Sequence, residues 1–160
     1  MRHSTLHRAL LPTAVLAALL AAPAAAQNAW DFGIRGGVYT DHSDPFVGLE
    51  LLTRMGGTQW FFNPNVEVVF PDRGDLITLN FDFHYDLPVD APVYVWVGGG
   101  PAIVFVDRDR GRGDDDDTEP GLNLLAGVGF LKGQPVRPYL QGKILIYDES
   151  EAVLAFGVRF

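Results

Sequence analysis

Cysteine is absent from the 160 residues, which excludes a disulfide framework, a thiolate metal centre, a cysteine nucleophile and a lipid-modified cysteine anchor. Serine and histidine are also scarce, since beyond residue 26 only Ser43, Ser150, His42 and His84 occur. A Ser-His-acid triad needs a histidine that contacts the serine and is itself oriented by a carboxylate. His42 and Ser43 are chain neighbours and do not supply that arrangement. We therefore predict no catalytic residue and no enzymatic activity.

Long apolar runs are missing beyond Leu20, so no segment there has the roughly 20 apolar residues of a membrane-spanning helix. The start of the chain is different, because Arg2 and Arg8 precede an apolar run that leads to three alanines ending at Ala26. A basic head, a short apolar run and a small-residue exit are typical of a secretory signal peptide. We therefore predict a signal peptide over residues 1–26, cleavage before Gln27, and one domain over residues 27–160.

Positive charge is in short supply. The chain has 12 lysines and arginines against 20 acidic residues, and loss of Arg2 and Arg8 with the leader would leave 10 against 20, a net charge of −10. Binding of nucleic acid depends on basic contacts to phosphate. The charge therefore argues against a nucleic-acid partner.

Most of the chain alternates between apolar and polar residues with a period of two. Clusters of glycine, proline and aspartate interrupt this alternation. Such alternation predicts β-strands. The eight predicted strands are Trp30–Tyr39, Phe46–Arg54, Trp60–Phe70, Leu76–Leu87, Pro92–Val106, Gly121–Leu131, Val136–Tyr147 and Glu151–Phe160. Most have the ~9 to 11 residues that a tilted strand needs to cross a bilayer. The predicted fold is all-β, an eight-stranded antiparallel up-and-down transmembrane β-barrel.

The connections between these strands are predicted to differ between the two ends of the barrel. Met55–Gly57, Val89–Ala91 and Lys132–Pro135 are expected to be tight turns, whereas Asp107–Pro120 is expected to be a long acidic loop. Outer-membrane barrels have short periplasmic turns and longer extracellular loops. We therefore expect the N-terminus in the periplasm and the Asp107–Pro120 loop outside the cell.

The two faces of the predicted strands differ in composition. In the fourth strand the odd positions from Ile77 to Leu87 are apolar and the even positions from Thr78 to Asp86 are polar. Because the polar faces combine charged residues with glycine, they suit an interior just wide enough to be filled by side chains. We therefore predict that the apolar faces contact lipid and that a polar network fills the lumen. Its predicted members are Arg35, Glu50, Glu67, Asp82, His84, Arg137, Gln141, Lys143 and Arg159.

Aromatic residues near the strand ends predict two interfacial girdles of the kind that lipid-spanning barrels carry. One girdle comprises Trp30, Trp60, Tyr85, Tyr94, Trp96 and Phe160, and the other Phe46, Phe70, Phe105 and Tyr147. Two prolines fall inside predicted strands, Pro64 in the third and Pro101 in the fifth. Since proline cannot donate to a ladder, we expect β-bulges at both.

The last segment, Glu151-Ala-Val-Leu-Ala-Phe-Gly-Val-Arg-Phe160, ends in phenylalanine after alternating apolar residues. With the strand pattern of residues 27–160, it resembles the small bacterial outer-membrane β-barrel family of the OmpA transmembrane-domain and OmpX type. The resemblance implies an outer-membrane location, surroundings of lipid and lipopolysaccharide, and a monomer. It also implies that the barrel-assembly machinery recognises Leu154, Phe156, Val158 and Phe160.

No cofactor or metal motif is evident in the sequence. Glu67, Asp82 and His84 lack a metal-ligand spacing. The acidic run that begins at Asp107 has Gly111 where an EF-hand loop needs its fifth-position ligand. We therefore predict no cofactor and no defined metal site, and loose cation binding by that run stays open.

The function that follows is structural or interactive, with a lumen too narrow for an open pore. Two alternatives remain. One is a soluble periplasmic barrel of lipocalin type, with its apolar face turned inward around a hydrophobic ligand. The other is a lipid-A-modifying barrel enzyme in which His84 beside Asp82 and Asp86 performs acid-base chemistry.

Overall fold

Alternating residues form strands in this chain because one side of each strand can be buried while the other stays exposed. The computed structural model describes residues 30–72, 74–89, 91–107, 116–148 and 150–160, and the predicted signal peptide lies outside the described residues. The strands are β1 Asp31–Tyr39, β2 Asp44–Arg54, β3 Trp60–Val69, β4 Asp75–Leu87, β5 Tyr94–Asp107, β6 Asp116–Gly129, β7 Arg137–Ile146 and β8 Ser150–Arg159. Each pairs antiparallel with the next, and β8 pairs with β1, so the sheet is a closed barrel and the predicted fold is confirmed. None of the described ranges contains a helix with the length and apolar character to span a membrane.

Seven of the predicted strands begin and end within two residues of the observed ones, and the sixth does not. β6 begins at Asp116, five residues before its predicted start at Gly121. Thr118, Glu119 and Pro120 continue the register with β5, although their composition favoured a loop. The predicted extent of the Asp107–Pro120 loop is therefore wrong. The connection is residues 108–115, which lie outside the described residues.

The barrel has a terminal end, where Asp31 and Arg159 lie, and a loop end, where Tyr39 lies. The strand bounds leave connections 55–59, 88–93 and 130–136 at the terminal end, and 40–43, 70–74, 108–115 and 147–149 at the loop end. Two of the predicted tight turns are present, since the Thr58 amide donates to the Met55 carbonyl oxygen and the Gln134 amide to that of Leu131. The prediction of longer loops at the other end is wrong except for residues 108–115. At the terminal end Gly133 adopts a φ of 80°, a backbone conformation that residues with a side chain rarely take.

The prolines inside β3 and β5 leave the register unchanged. β2 pairs with β3 in one register on both sides of Pro64, and β4 pairs with β5 in one register on both sides of Pro101. The expected bulges are therefore wrong. At Pro64, which lacks a backbone donor, the neighbouring Asn63 donates its side-chain amide to the carbonyl oxygen of Leu51 on β2 at 2.7 Å.

Apolar side chains fill both ends of the interior. Towards the loop end the buried cluster comprises Tyr39, Phe46, Val69, Ala102, Val104, Leu145, Val153 and Ala155. Towards the terminal end it comprises Tyr94, Trp96, Leu125 and Tyr139. Neither cluster is expected from the alternation along the strands. Between them lies the polar middle of the barrel.

Four of the ten residues predicted for the aromatic girdles turn inward. Tyr94 and Trp96 belong to the terminal-end cluster, Phe46 belongs to the loop-end cluster, and Tyr147 packs against the latter. The girdle prediction is wrong for these four because closeness to a strand end does not reveal which face a residue occupies. Trp60 is half exposed on the outer face, as the prediction requires.

Candidate functional site: the polar interior and the apolar outer face

The outward side chains of the barrel wall are mostly apolar. None of the outward strand side chains that the structure describes carries a charge. Val47, Leu154 and Phe156 are 57%, 59% and 55% exposed. The soluble lipocalin alternative does not fit this orientation, because it needs such side chains inside around a ligand.

The interior is polar across its middle. Eight of the nine residues predicted for the lumen network are buried, namely Arg35, Glu50, Glu67, Asp82, His84, Gln141, Lys143 and Arg159. Arg137 is the exception, because it lies at the terminal rim, partly exposed, and pairs with Asp31 at 2.6 Å. Five further polar residues are buried beside the eight, namely Asn63, Asn65, Thr78, Asn80 and Asn123.

Glu67 on β3 is contacted by four side chains of the interior. Its Oε2 accepts hydrogen bonds from the Lys143 ammonium at 2.7 Å, the Tyr39 hydroxyl at 2.6 Å and the Thr78 hydroxyl at 3.2 Å. Its Oε1 lies 3.2 Å from Arg35 Nη2. Glu67 therefore joins β3 to β1, β4 and β7 across the barrel interior.

Glu50 on β2 accepts from a second arginine nearer the terminal end. Arg159 donates through Nε to Glu50 Oε1 at 2.9 Å, and Arg35 Nη1 lies 3.8 Å from Glu50 Oε2. The Arg159 guanidinium also lies 5.0 Å from the ring centre of Trp96 and 4.4 Å from that of Tyr139. Cation–π contacts of this kind help to hold a buried guanidinium in place.

Asp82 on β4 accepts hydrogen bonds from side-chain amides. Asn65 donates to Asp82 Oδ2 at 3.0 Å and Asn123 donates to Asp82 Oδ1 at 2.8 Å. Asn80 donates to the side-chain oxygen Oδ1 of Asn65 at 3.0 Å, which orients the Asn65 side-chain amide towards Asp82. Hydrogen bonds to both carboxylate oxygens offset the cost of burying the carboxylate.

His84 lies near the terminal end between two rings. Its imidazole stacks on Phe61 at 5.4 Å and lies 5.5 Å from Trp96, while Nε2 is 3.5 Å from Asp86 Oδ1. Aromatic rings flank the imidazole on both sides, so His84 packs as part of the interior.

The buried charges balance one another. Among the described buried residues, Arg35, Lys143 and Arg159 are matched by Glu50, Glu67 and Asp82. Compensation is needed because an unpaired charge in a low-dielectric interior is costly. In the described part of the chain, no group of three or more histidine or acidic residues could hold a metal ion. The arrangement is suited to holding the wall together.

Comparison of the coordinates with solved structures finds barrels of the same kind. The N-terminal β-barrel domain of Pseudomonas aeruginosa OprF superposes with a TM-score of 0.68 and 14% identity, over 84% of this chain and 97% of that one. The chain has the fold of the small outer-membrane β-barrels. Neisserial surface protein A superposes with a TM-score of 0.64 and 16% identity, over 81% of this chain and 92% of that one. Ail, the attachment invasion locus protein of Yersinia pestis, superposes with a TM-score of 0.56 and 11% identity, over 82% of this chain and 97% of that one.

Sequence comparison adds nothing to this likeness. No protein-family model matches the chain, and no curated protein matches it significantly. At such low identities the structural likeness concerns the fold alone. At that level the predicted resemblance to outer-membrane barrels is confirmed.

Sequence reasoning missed two groups of interior residues for different reasons. The amides of Asn63, Asn65 and Asn123 occupy inward positions, so the strand parity that located Glu67 would have found them. Trp96 could not be found in that way, because β5 carries apolar side chains on both faces. Local composition does not distinguish the inner from the outer face of such a strand.

Proposed function

We propose that this chain is an outer-membrane protein of a Gram-negative envelope, with a structural or surface-interaction role and no catalytic activity. The observation that carries the proposal is the distribution of residues across the wall. Exposed apolar side chains surround a buried set of charges, which is the reverse of the usual arrangement in a water-soluble protein. A continuous apolar belt in water would promote aggregation, whereas in a bilayer it contacts acyl chains.

The height of the apolar belt supports a spanning position. On β4 the outward apolar residues run from Ile77 to Leu87. At about 3.3 Å per residue and a tilt of about 40°, this stretch covers roughly 25 Å along the barrel axis. That is the height of the lipid-facing band of outer-membrane barrels.

The lumen in this proposal is closed by its own side chains. The loop-end cluster and the terminal-end cluster are both buried, and the network around Glu67 lies between them. An eight-stranded barrel has room for side chains and little else. We therefore expect the protein not to conduct ions as an open pore.

Export and assembly follow from the two ends of the chain. Residues 1–26 would direct export and be removed, leaving residues 27–160 as the barrel. The side chains of Leu154, Phe156 and Phe160 are more than half exposed on the outside of β8. With Val158, they would be recognised by the barrel-assembly machinery. We propose a monomer surrounded by lipid and lipopolysaccharide.

The names of two structural neighbours support a surface-interaction role. One of them is described as a surface protein and another as an attachment invasion locus protein. Both share only the fold with this chain. We therefore propose exposure at the cell surface.

Cell fractionation combined with gel electrophoresis tests the location. We expect the protein in the outer-membrane fraction, resistant to extraction by alkaline carbonate. We also expect it to migrate faster before boiling than after, because a closed barrel stays folded in detergent. Recovery in the soluble periplasm, with no effect of boiling on mobility, would falsify the proposal.

Mass spectrometry of lipid A tests the absence of catalysis. Cells with and without the chain should give the same lipid A species, since His84 packs between rings and both Ser43 and Ser150 are exposed. A new lipid A species that disappears in the His84→Ala variant would establish a lipid-modifying enzyme instead.

A further inference from the structure

The pairing of β8 with β1 closes the barrel, and we call this pairing the seam. It extends over seven residue pairs, from Gly33 with Arg159 to Tyr39 with Val153, whereas β5 and β6 share fourteen. Since β1 and β8 are the first and last strands, no turn connects them. Every other strand pair is held by a connection of at most eight residues, which limits separation of the two strands. The seam therefore depends on its contacts alone.

The buried ion pair between Arg159 and Glu50 crosses the seam. Arg159 on β8, Gly33 on β1 and Glu50 on β2 are register partners in one row of the wall. Arg159 reaches past Gly33 to donate to Glu50 Oε1 at 2.9 Å. A Cβ atom at Gly33 would lie 2.6 Å from that same oxygen, so glycine leaves the space that the pair occupies. The end of β8 is therefore connected to β2 as well as to β1.

A second row repeats this arrangement, but its ion pair does not cross the seam. Arg35 on β1, Gly48 on β2 and Glu67 on β3 are register partners, and Arg35 Nη2 lies 3.2 Å from Glu67 Oε1. A Cβ atom at Gly48 would lie 3.1 Å from Arg35 Cγ. Both rows are buried and both use an arginine, a glycine and a glutamate. Because β1, β2 and β3 are consecutive in the chain, the second row is a matched internal control.

We propose that Arg159 and Glu50 form a latch that keeps the seam closed. Separation of β8 from β1 would withdraw Arg159 from the rings of Trp96 and Tyr139. It would also leave Glu50 as a buried carboxylate without its nearest cation, which is strongly unfavourable. The latch follows from strand order and register, so it does not depend on where in the cell the barrel lies.

Hydrogen–deuterium exchange of the full chain in detergent micelles tests the latch. Arg159→Gln should accelerate exchange of the β8 amides by about tenfold or more, because an element that opens locally loses protection by itself. The amides of β4 and β5 should keep their protection from exchange. Arg35→Gln removes an equally buried arginine and should leave the β8 amides close to their original rates. Equal acceleration of all strands in both variants, or unchanged β8 exchange in Arg159→Gln, would overturn the proposal.

A disulfide across the seam keeps the test decisive if Arg159→Gln does not fold. Val38→Cys with Leu154→Cys joins register partners of β1 and β8, and the natural chain has no cysteine to interfere. Leu79→Cys with Ile103→Cys is the control, because it joins β4 to β5. The seam disulfide should restore the boiling-dependent gel mobility of Arg159→Gln, and the control disulfide should not. Rescue by both disulfides, or by neither, contradicts the latch.

Discussion

The outer and inner faces of the barrel wall are built from the same strands, yet they constrain their residues differently. On the outer face a side chain such as Ile144 is 48% exposed and has few protein neighbours. On the inner face Glu67 contacts four side chains from three other strands at defined distances. The outer face therefore needs apolar character, while the inner face needs particular residues. Substitutions matched across the wall test this difference.

The largest loss of stability is expected at the centre of the inner face. Glu67→Gln removes the charge that compensates Lys143 and Arg35, and an unpaired buried charge costs ~3–5 kcal/mol. Urea unfolding of the protein in lipid vesicles measures the change in the free energy of unfolding. Glu151→Gln makes the same chemical change at a partly exposed rim position, where we expect less than ~1 kcal/mol. Equal effects would show that the interior network does not hold the barrel.

Substitutions at two neighbouring residues of β7 allow the packing on the two faces to be compared. Leu145 is fully buried in the loop-end cluster, whereas Ile144 points outward. Leu145→Ala leaves a cavity and should cost ~2–5 kcal/mol. Ile144→Ala should cost clearly less, because lipid or detergent can occupy the space that the side chain vacates. The same unfolding measurement decides, and a larger loss for Ile144→Ala would reverse the assignment of faces.

A charge on the outer face tests whether that face contacts lipid. Leu140 is half exposed near the middle of the wall, so an arginine there would be harmless in water. In a bilayer Leu140→Arg should lower the free energy of unfolding by ~2–4 kcal/mol. Val136→Arg, in the turn before β7, is the control and should have little effect. An unchanged stability for Leu140→Arg in vesicles would contradict the spanning position.

Two glycines provide the smallest and most local comparison. A Cβ at Gly33 would press on Glu50, whereas a Cβ at Gly142 meets nothing within 4 Å. Gly33→Ala should therefore cost ~1–3 kcal/mol, as overpacking does. Gly142→Ala should stay within ~0.5 kcal/mol, as substitutions at open surface positions do. The temperature at which each variant loses its faster-migrating gel band ranks the two stability losses. A larger loss for Gly142→Ala than for Gly33→Ala would refute this expectation.

Much of the fold could be predicted because strand parity is a local property. The alternation from Ile77 to Leu87 located β4 and its outward face, and the same reasoning placed Arg35 and Lys143 at positions that the structure buries. The failures occurred where local composition was misleading. Glu119 belongs to β6 although its surroundings are acidic, and Trp96 turns inward although both faces of β5 are apolar.

The sequence by itself determined the number of strands and which of their faces avoids charge, because a period of two acts between near neighbours in the chain. Only the tertiary structure decided which buried groups meet. Lys143 and Glu67 are 76 residues apart, and Arg159 and Glu50 are 109 apart. Such pairs form only when the sheet closes on itself and sets the register of strands that are distant in the chain. The physical reason is that closure, rather than local preference, decides which side chains share the narrow interior.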